Sequence, residues 1–111
     1  MKSLRNSTCL LLFASLFYGC TSTPEKHIPK VYQVQIKDMK FEPAELTVDK
    51  GDTVVWTNLD MTVHDITDQA ANSWTSGPLL SGKSWKMAIK KESDYYCSIH
   101  KVMTGKIMLE E

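Results

Sequence analysis

A hydrophobic period of two runs through this chain and limits what it can fold into. Tyr32, Val34 and Ile36 alternate with Gln33, Gln35 and Lys37. Val54 and Trp56 alternate with Thr53, Val55 and Thr57, and Trp85, Met87 and Ile89 alternate with Ser84, Lys86, Ala88 and Lys90. Gly105, Ile107 and Leu109 alternate with Lys106, Met108 and Glu110. Successive side chains of a strand point to opposite faces, so this alternation marks strands buried on one side. Beyond residue 20 no stretch shows a convincing helical stripe. Turn signals separate the segments, among them Asp49-Lys50-Gly51-Asp52, Asn58-Leu59-Asp60, Ser76-Gly77-Pro78 and Glu92-Ser93-Asp94. Residues 66–75 read as a loop or a short helical turn. Six to eight short strands in roughly 90 residues predict one all-β domain, an antiparallel sandwich or small barrel.

The beginning of the chain follows a different logic. Lys2 and Arg5 precede a nine-residue apolar run, Cys9 to Phe17, and then Gly19-Cys20. That is the layout of a secretory signal peptide, with an apolar run too short to span a bilayer as a helix. A buried first helix is the alternative. Leu16 to Cys20 resembles a bacterial lipobox, whose cysteine is lipidated, although Phe17 and Tyr18 are bulkier than that motif prefers. The polar stretch after it suits a flexible tether. The expected organisation is a signal peptide of lipoprotein type over 1–19, a tether over 20–30 and a folded domain over 31–111. The product would be exported to the periplasm and held at a membrane through Cys20.

Charge and cysteine count change once the leader is set aside. The full chain has 13 basic and 13 acidic residues. Losing Lys2 and Arg5, and no acid, leaves 92 residues at net −2. This balance argues against a nucleic-acid partner, which calls for a basic face. Cys9 leaves with the leader and Cys20 is the candidate lipid anchor, so Cys97 remains as a lone thiol. A lone thiol in an oxidising compartment is not a structural disulfide within the chain.

The chemistry gathers around that thiol. Cys97, His100 and Met103 are spaced three apart, and His64 lies 33 residues upstream, just past an expected strand. Thiolate, imidazole and thioether are soft and borderline donors that select copper over magnesium or calcium. Two His, one Cys and a long axial Met are the inventory of a type 1 (blue) copper site. Zinc sites rarely use Met. A nucleophilic Cys-His pair leaves the Met spacing unexplained. Singly, each residue has an ordinary reading: a buried thiol, a core methionine, a satisfied histidine. Their joint pattern favours copper. His27 falls in the tether and carries no expected role. Met39, Met61 and Met87 read as packing residues, with Met61 close enough to His64 to line the site.

These residues resemble the cupredoxin family, within its plastocyanin-like group and with the amicyanin and pseudoazurin types nearest in pattern. The resemblance spans most of residues 31–111. It includes Phe41-x-Pro43, Leu46-Thr47-Val48, Gly51-Asp52-Thr53-Val54-x-Trp56-x-Asn58, His64, Gly77-Pro78-Leu79-Leu80, Tyr95-x-Cys97-x-x-His100-x-x-Met103 and Gly105-Lys106. The Cys-x-x-His-x-x-Met spacing is that of amicyanin. The resemblance implies a Greek-key β-sandwich and one copper ion cycling between Cu(I) and Cu(II). Both histidines would bind through Nδ1. The implied role is not enzymatic: it is one-electron carriage between redox protein partners, with copper storage, delivery or sensing as the alternative.

By the same resemblance, an exposed edge of His100 would sit in an apolar docking patch. Leu79, Leu80, Ile99 and Val102 are the candidates, with Lys101 biasing docking toward acidic partners. Two departures lie next to the ligands. Asp65 stands where many relatives have Asn, and an ionised carboxylate there cannot donate to the ligand loop. Ile99 stands where many have Pro, so its N–H is available to the Cys97 sulfur.

Overall fold

Each alternating segment becomes a strand whose apolar side faces inward. The computed structural model describes residues 15–19 and 25–111. Leader residues 1–14 and the anchor candidate Cys20 lie outside the described residues. The domain has eight strands: β1 (Val31–Lys37), β2 (Lys40–Glu42), β3 (Glu45–Val48), β4 (Thr53–Asn58), β5 (Thr67–Asp68), β6 (Ser84–Ala88), β7 (Ser93–Tyr96) and β8 (Thr104–Leu109). They form two four-stranded sheets, ordered β2-β1-β4-β6 and β3-β8-β7-β5.

The sandwich is mixed where an antiparallel one was expected. Four of the six strand pairs are antiparallel, but β1 runs parallel to β4 and β3 parallel to β8. The reason is the route of the chain. After the β1–β2 hairpin it crosses to the other sheet as β3, then returns as β4 beside β1 and in the same direction. Alternation reports which face a residue takes and is silent on strand direction.

The core is built from the inward positions. Val34 and Ile36 of β1 and Val54 and Trp56 of β4 meet Phe41, Val48, Tyr95 and Ile107. Fully burying side chains of this size stabilises the fold by about 1.5–3 kcal/mol each. The Tyr95 ring meets Trp56 edge-on at 5.5 Å and Phe41 at 4.9 Å. Burial pushes the Tyr95 phenol up to about 12. Opposite Tyr95 on β8 stands Gly105, where an added Cβ would lie 2.2 Å from the tyrosine ring. Glycine is required there for space.

Residues 66–75 are a loop with one short turn, in which Asn72 N–H donates to the Asp68 carbonyl four residues back, and no helix follows. Thr67 bridges Thr75, and the Asp68 carboxylate accepts hydrogen bonds from Ala70 N–H, Ser73 N–H and the Ser73 hydroxyl. Those side-chain bonds hold the turn and compete with its extension into a helix. His27 is not a bare tether residue: its Nε2 lies 2.8 Å from Asp52 Oδ1, and Lys30 N–H donates to the same oxygen. The residues just before β1 therefore lie against the turn that begins β4.

Candidate metal centre

Two loops at one end of the sandwich bring the site together. The first leaves β4 at Asn58 and carries His64; the second, residues 97–103, joins β7 to β8. Asn58 is buried and organises the first loop. Its side-chain amide donates to the carbonyls of Thr62 and Leu79, and its Oδ1 accepts Asp60 N–H. Leu79 in turn exchanges both backbone hydrogen bonds with His64. The second loop is closed on itself: Cys97 N–H donates to Met103 carbonyl, and Met103 N–H donates to His100 carbonyl.

The three nitrogen and sulfur donors predicted from sequence converge. Cys97 Sγ lies 3.8 Å from His64 Nδ1 and 3.8 Å from His100 Nδ1. The imidazoles meet edge-on with centroids 5.0 Å apart. Thiolate bonds of about 2.3 Å and imidazole bonds of about 2.0–2.1 Å, as at zinc, meeting at trigonal angles set sulfur and nitrogen roughly 3.8 Å apart. The observed separations fit an ion shared by all three. His64 and Cys97 are fully buried, Met103 is buried, and His100 is half-buried. With two imidazoles, a thiol and Met103 as the nearby thioether, the donor chemistry suits copper.

The surroundings of the donors differ from expectation in three places. The N–H that reaches Cys97 Sγ is that of Asp65, at 3.4 Å, and not that of Ile99. Asp65 also accepts the Ser98 N–H at 2.7 Å and the Ser98 hydroxyl. Leu79 is only 6% exposed, so it belongs to the core and not to a docking patch. Its pairing with His64 turns its side chain inward. Leu80, Ile99 and Val102 are exposed, as is Lys101. Met61 is exposed as well, so it is not a core residue and does not line the buried side of the site.

One contributor was missed from sequence. Asp60 Oδ2 lies 2.8 Å from His64 Nε2, on the far side of the ring from Cys97. Asp60 also accepts Asp38 N–H on Oδ1 and Met39 N–H on Oδ2. Burial alone would raise the Asp60 carboxyl, but hydrogen bonds from Met39 N–H, His64 and Asp38 N–H outweigh it and hold the group below its ordinary 3.8. The only sequence signal was a carboxylate four residues before a candidate ligand in an irregular loop, and that spacing implies no geometry. A second cluster, His27, Asp49 and Asp52, is held by hydrogen bonds among its own members and neighbouring backbone.

Comparison with known proteins agrees with this geometry. The family model for copper binding proteins of the plastocyanin/azurin family matches residues 30–110. Amicyanin-alpha of Methylorubrum extorquens is 27% identical over 119 residues, covering 99% of this chain and all of that protein. Amicyanin of Paracoccus denitrificans is 32% identical over 83 residues, covering 69% of this chain and 63% of that protein. Among solved structures, a Cu(I) amicyanin variant superposes with a TM-score of 0.67 at 27% identity, over 72% of this chain and 82% of that one. A purple cupredoxin from Nitrosopumilus maritimus gives 0.64 at 26% identity, over 71% and 99%. The chain is a cupredoxin of the amicyanin-like kind and belongs to the plastocyanin/azurin family of copper binding proteins.

Proposed function

We propose that the domain is a mononuclear type 1 copper protein that carries single electrons, with His64, Cys97, His100 and Met103 as the ligands. The observation that carries this reading is the convergence of the Cys97 thiol with two imidazole Nδ1 atoms at equal distances, with Cys97 and His64 fully buried. Bound copper would supply a one-electron couple and, through its thiolate, an intense visible absorption.

The remaining features support the carrier reading. The hydrogen bonds closing residues 97–103 resist movement of Cys97 and Met103, so little rearrangement accompanies a change of charge. His100 is the candidate ligand nearest to solvent. Leu80, Ile99 and Val102, at 55%, 51% and 88% exposure, are our candidates for an apolar docking surface beside it. An apolar surface beside a half-buried ligand suits brief docking of a redox protein, and Lys101 favours an acidic one. We further place the protein outside the cytoplasm, exported by residues 1–19 and tethered by lipid on Cys20. Mass spectrometry of the mature N-terminus tests that placement: an unmodified chain beginning elsewhere than Cys20 removes the anchor.

The function is tested by loading purified domain with copper, recording the visible spectrum and titrating it redox-wise. Wild-type protein is expected to show a strong band that bleaches and returns with one electron. Cys97→Ser is expected to keep the fold and lose the band. A coloured serine variant would refute the ligand assignment. Tight Cu(I) binding without reversible cycling would favour copper storage or delivery.

A further inference from the structure

We propose that Asp60 is a positioning residue of the metal centre: its carboxylate fixes the His64 tautomer and, through that imidazole, lowers the copper potential. The inference rests on the copper reading above for its second half, while the first half concerns the protein alone.

The argument begins with the burial of His64. Its side chain has no exposed surface, so each ring nitrogen must be satisfied from within the protein. A neutral imidazole carries one N–H and one lone pair. With the proton on Nε2, that nitrogen donates to Asp60 Oδ2 at 2.8 Å and the Nδ1 lone pair faces Cys97. With the proton on Nδ1, a nitrogen lone pair would face a carboxylate oxygen at the same 2.8 Å, and the metal-facing nitrogen would be blocked. The carboxylate therefore selects the one tautomer in which Nδ1 can bind metal.

The carboxylate is itself held. Asp38 N–H and Met39 N–H reach its two oxygens at 2.8 and 3.0 Å, and its own N–H donates to Asn58 Oδ1 at 2.9 Å. Asp38 and Met39 form the β1–β2 turn with φ of 53° and 61°. Consecutive left-handed residues suit a tight hairpin turn, and here both N–H groups point to one acceptor. The turn at one sheet edge is thereby part of the support of a metal ligand. A carboxylate behind a ligating imidazole raises the basicity of the ring. Negative charge there also stabilises the more highly charged copper state.

The test uses Asp60→Asn, which removes the charge while keeping an acceptor for His64, and Asp60→Ala, which removes both. Nitrogen NMR of the copper-free wild type is expected to show His64 protonated on Nε2 only, and Asp60→Ala to show a mixture. A wild-type His64 protonated on Nδ1, or an unmixed Ala variant, overturns the positioning role. In the copper-loaded proteins, Asp60→Asn is expected to favour Cu(I) over Cu(II) by roughly tenfold, a rise of about 59 mV for a one-electron couple, with the visible band in place. An unchanged potential overturns the potential-setting role. If wild-type protein takes no copper, the copper reading fails along with that role, while the tautomer measurement still decides the first.

Discussion

Asp65 grips Ser98 with both carboxylate oxygens, joining the two loops that carry the metal donors. Ser98 N–H donates to Oδ1 and the Ser98 hydroxyl to Oδ2, while Thr67 donates its hydroxyl to Oδ1 at 3.0 Å. From sequence, an ionised Asp65 cannot donate to the ligand loop. The structure resolves this by reversing the roles: the loop donates and Asp65 accepts. At the same residue the backbone N–H reaches Cys97 Sγ.

Asp65→Ala is therefore expected to loosen the site by removing acceptors. It leaves the Ser98 and Thr67 donors without their carboxylate, at a cost of about 1–3 kcal/mol. Ser98→Ala retains the backbone hydrogen bond and is expected to cost less. Denaturant unfolding of the copper-free variants measures this without interference from metal binding. Equal stability of wild type and Asp65→Ala would show that the contact contributes nothing.

The burial of Leu79 separates two substitutions that look alike in sequence. Val102→Glu places charge on an exposed part of the candidate patch, 88% accessible, and is expected to slow electron exchange between copies of the protein while leaving the visible band unchanged. Leu79→Glu buries a charge beside His64 and is expected to unfold the domain or prevent copper loading. Line broadening in NMR of partly oxidised samples gives the exchange rate. A Val102→Glu rate equal to wild type would remove Val102 from the patch, and a well-folded Leu79→Glu would contradict its place in the core.

The strands and donors were legible for a clear reason, and the second layer was not. Val34, Ile36, Val54 and Trp56 must face inward because water penalises the alternative, and that preference is written at every second position. Cys97, His100 and Met103 share one short loop, so their spacing nearly fixes their convergence. Strand direction left no such mark, which is why the parallel β1–β4 pair was not foreseen. Asp60 acts through contacts set by irregular backbone, whereas Asn58 ends β4 on its inward face. Nothing periodic distinguishes Asp60 from the surface Asp residues common in turns, and the alternation that turns Asn58 inward does not say which carbonyls its amide meets. Leu79 and Leu80 are adjacent and identical, and only the pairing with His64 decides which is buried.

Asp52 should make stability fall at low pH. It is fully buried and accepts hydrogen bonds from Lys30 N–H, Asp49 N–H and His27. The Lys30 bond, opposed by burial and assisted by Asp49 and His27, holds its carboxyl below the usual 3.8. A carboxyl depressed in the folded state adds stability that is present above the unfolded value and lost as pH falls through the folded one. Asp52→Asn is expected to lower the melting temperature at neutral pH, with the gap to wild type narrowing below pH 3.8. His27→Ala keeps both backbone donors and is expected to retain most of the pH dependence. A gap between wild type and Asp52→Asn that stays constant through this range would refute the linkage.

Gly105 is where the core has least tolerance. It stands opposite Tyr95, and a Cβ there would fall 2.2 Å from the ring and 2.4 Å from the hydroxyl oxygen. Neither the ring nor the backbone has free room, because Tyr95 is wedged against Phe41 and Trp56. Gly105→Ala is expected to destabilise by about 1–3 kcal/mol, the usual range for overpacking. If the clash is the cause, a double-mutant cycle with Tyr95→Leu should give a favourable coupling, since the shorter side chain vacates the space the new methyl needs. Purely additive costs would instead place the requirement for glycine in the β8 backbone, independent of the tyrosine above it.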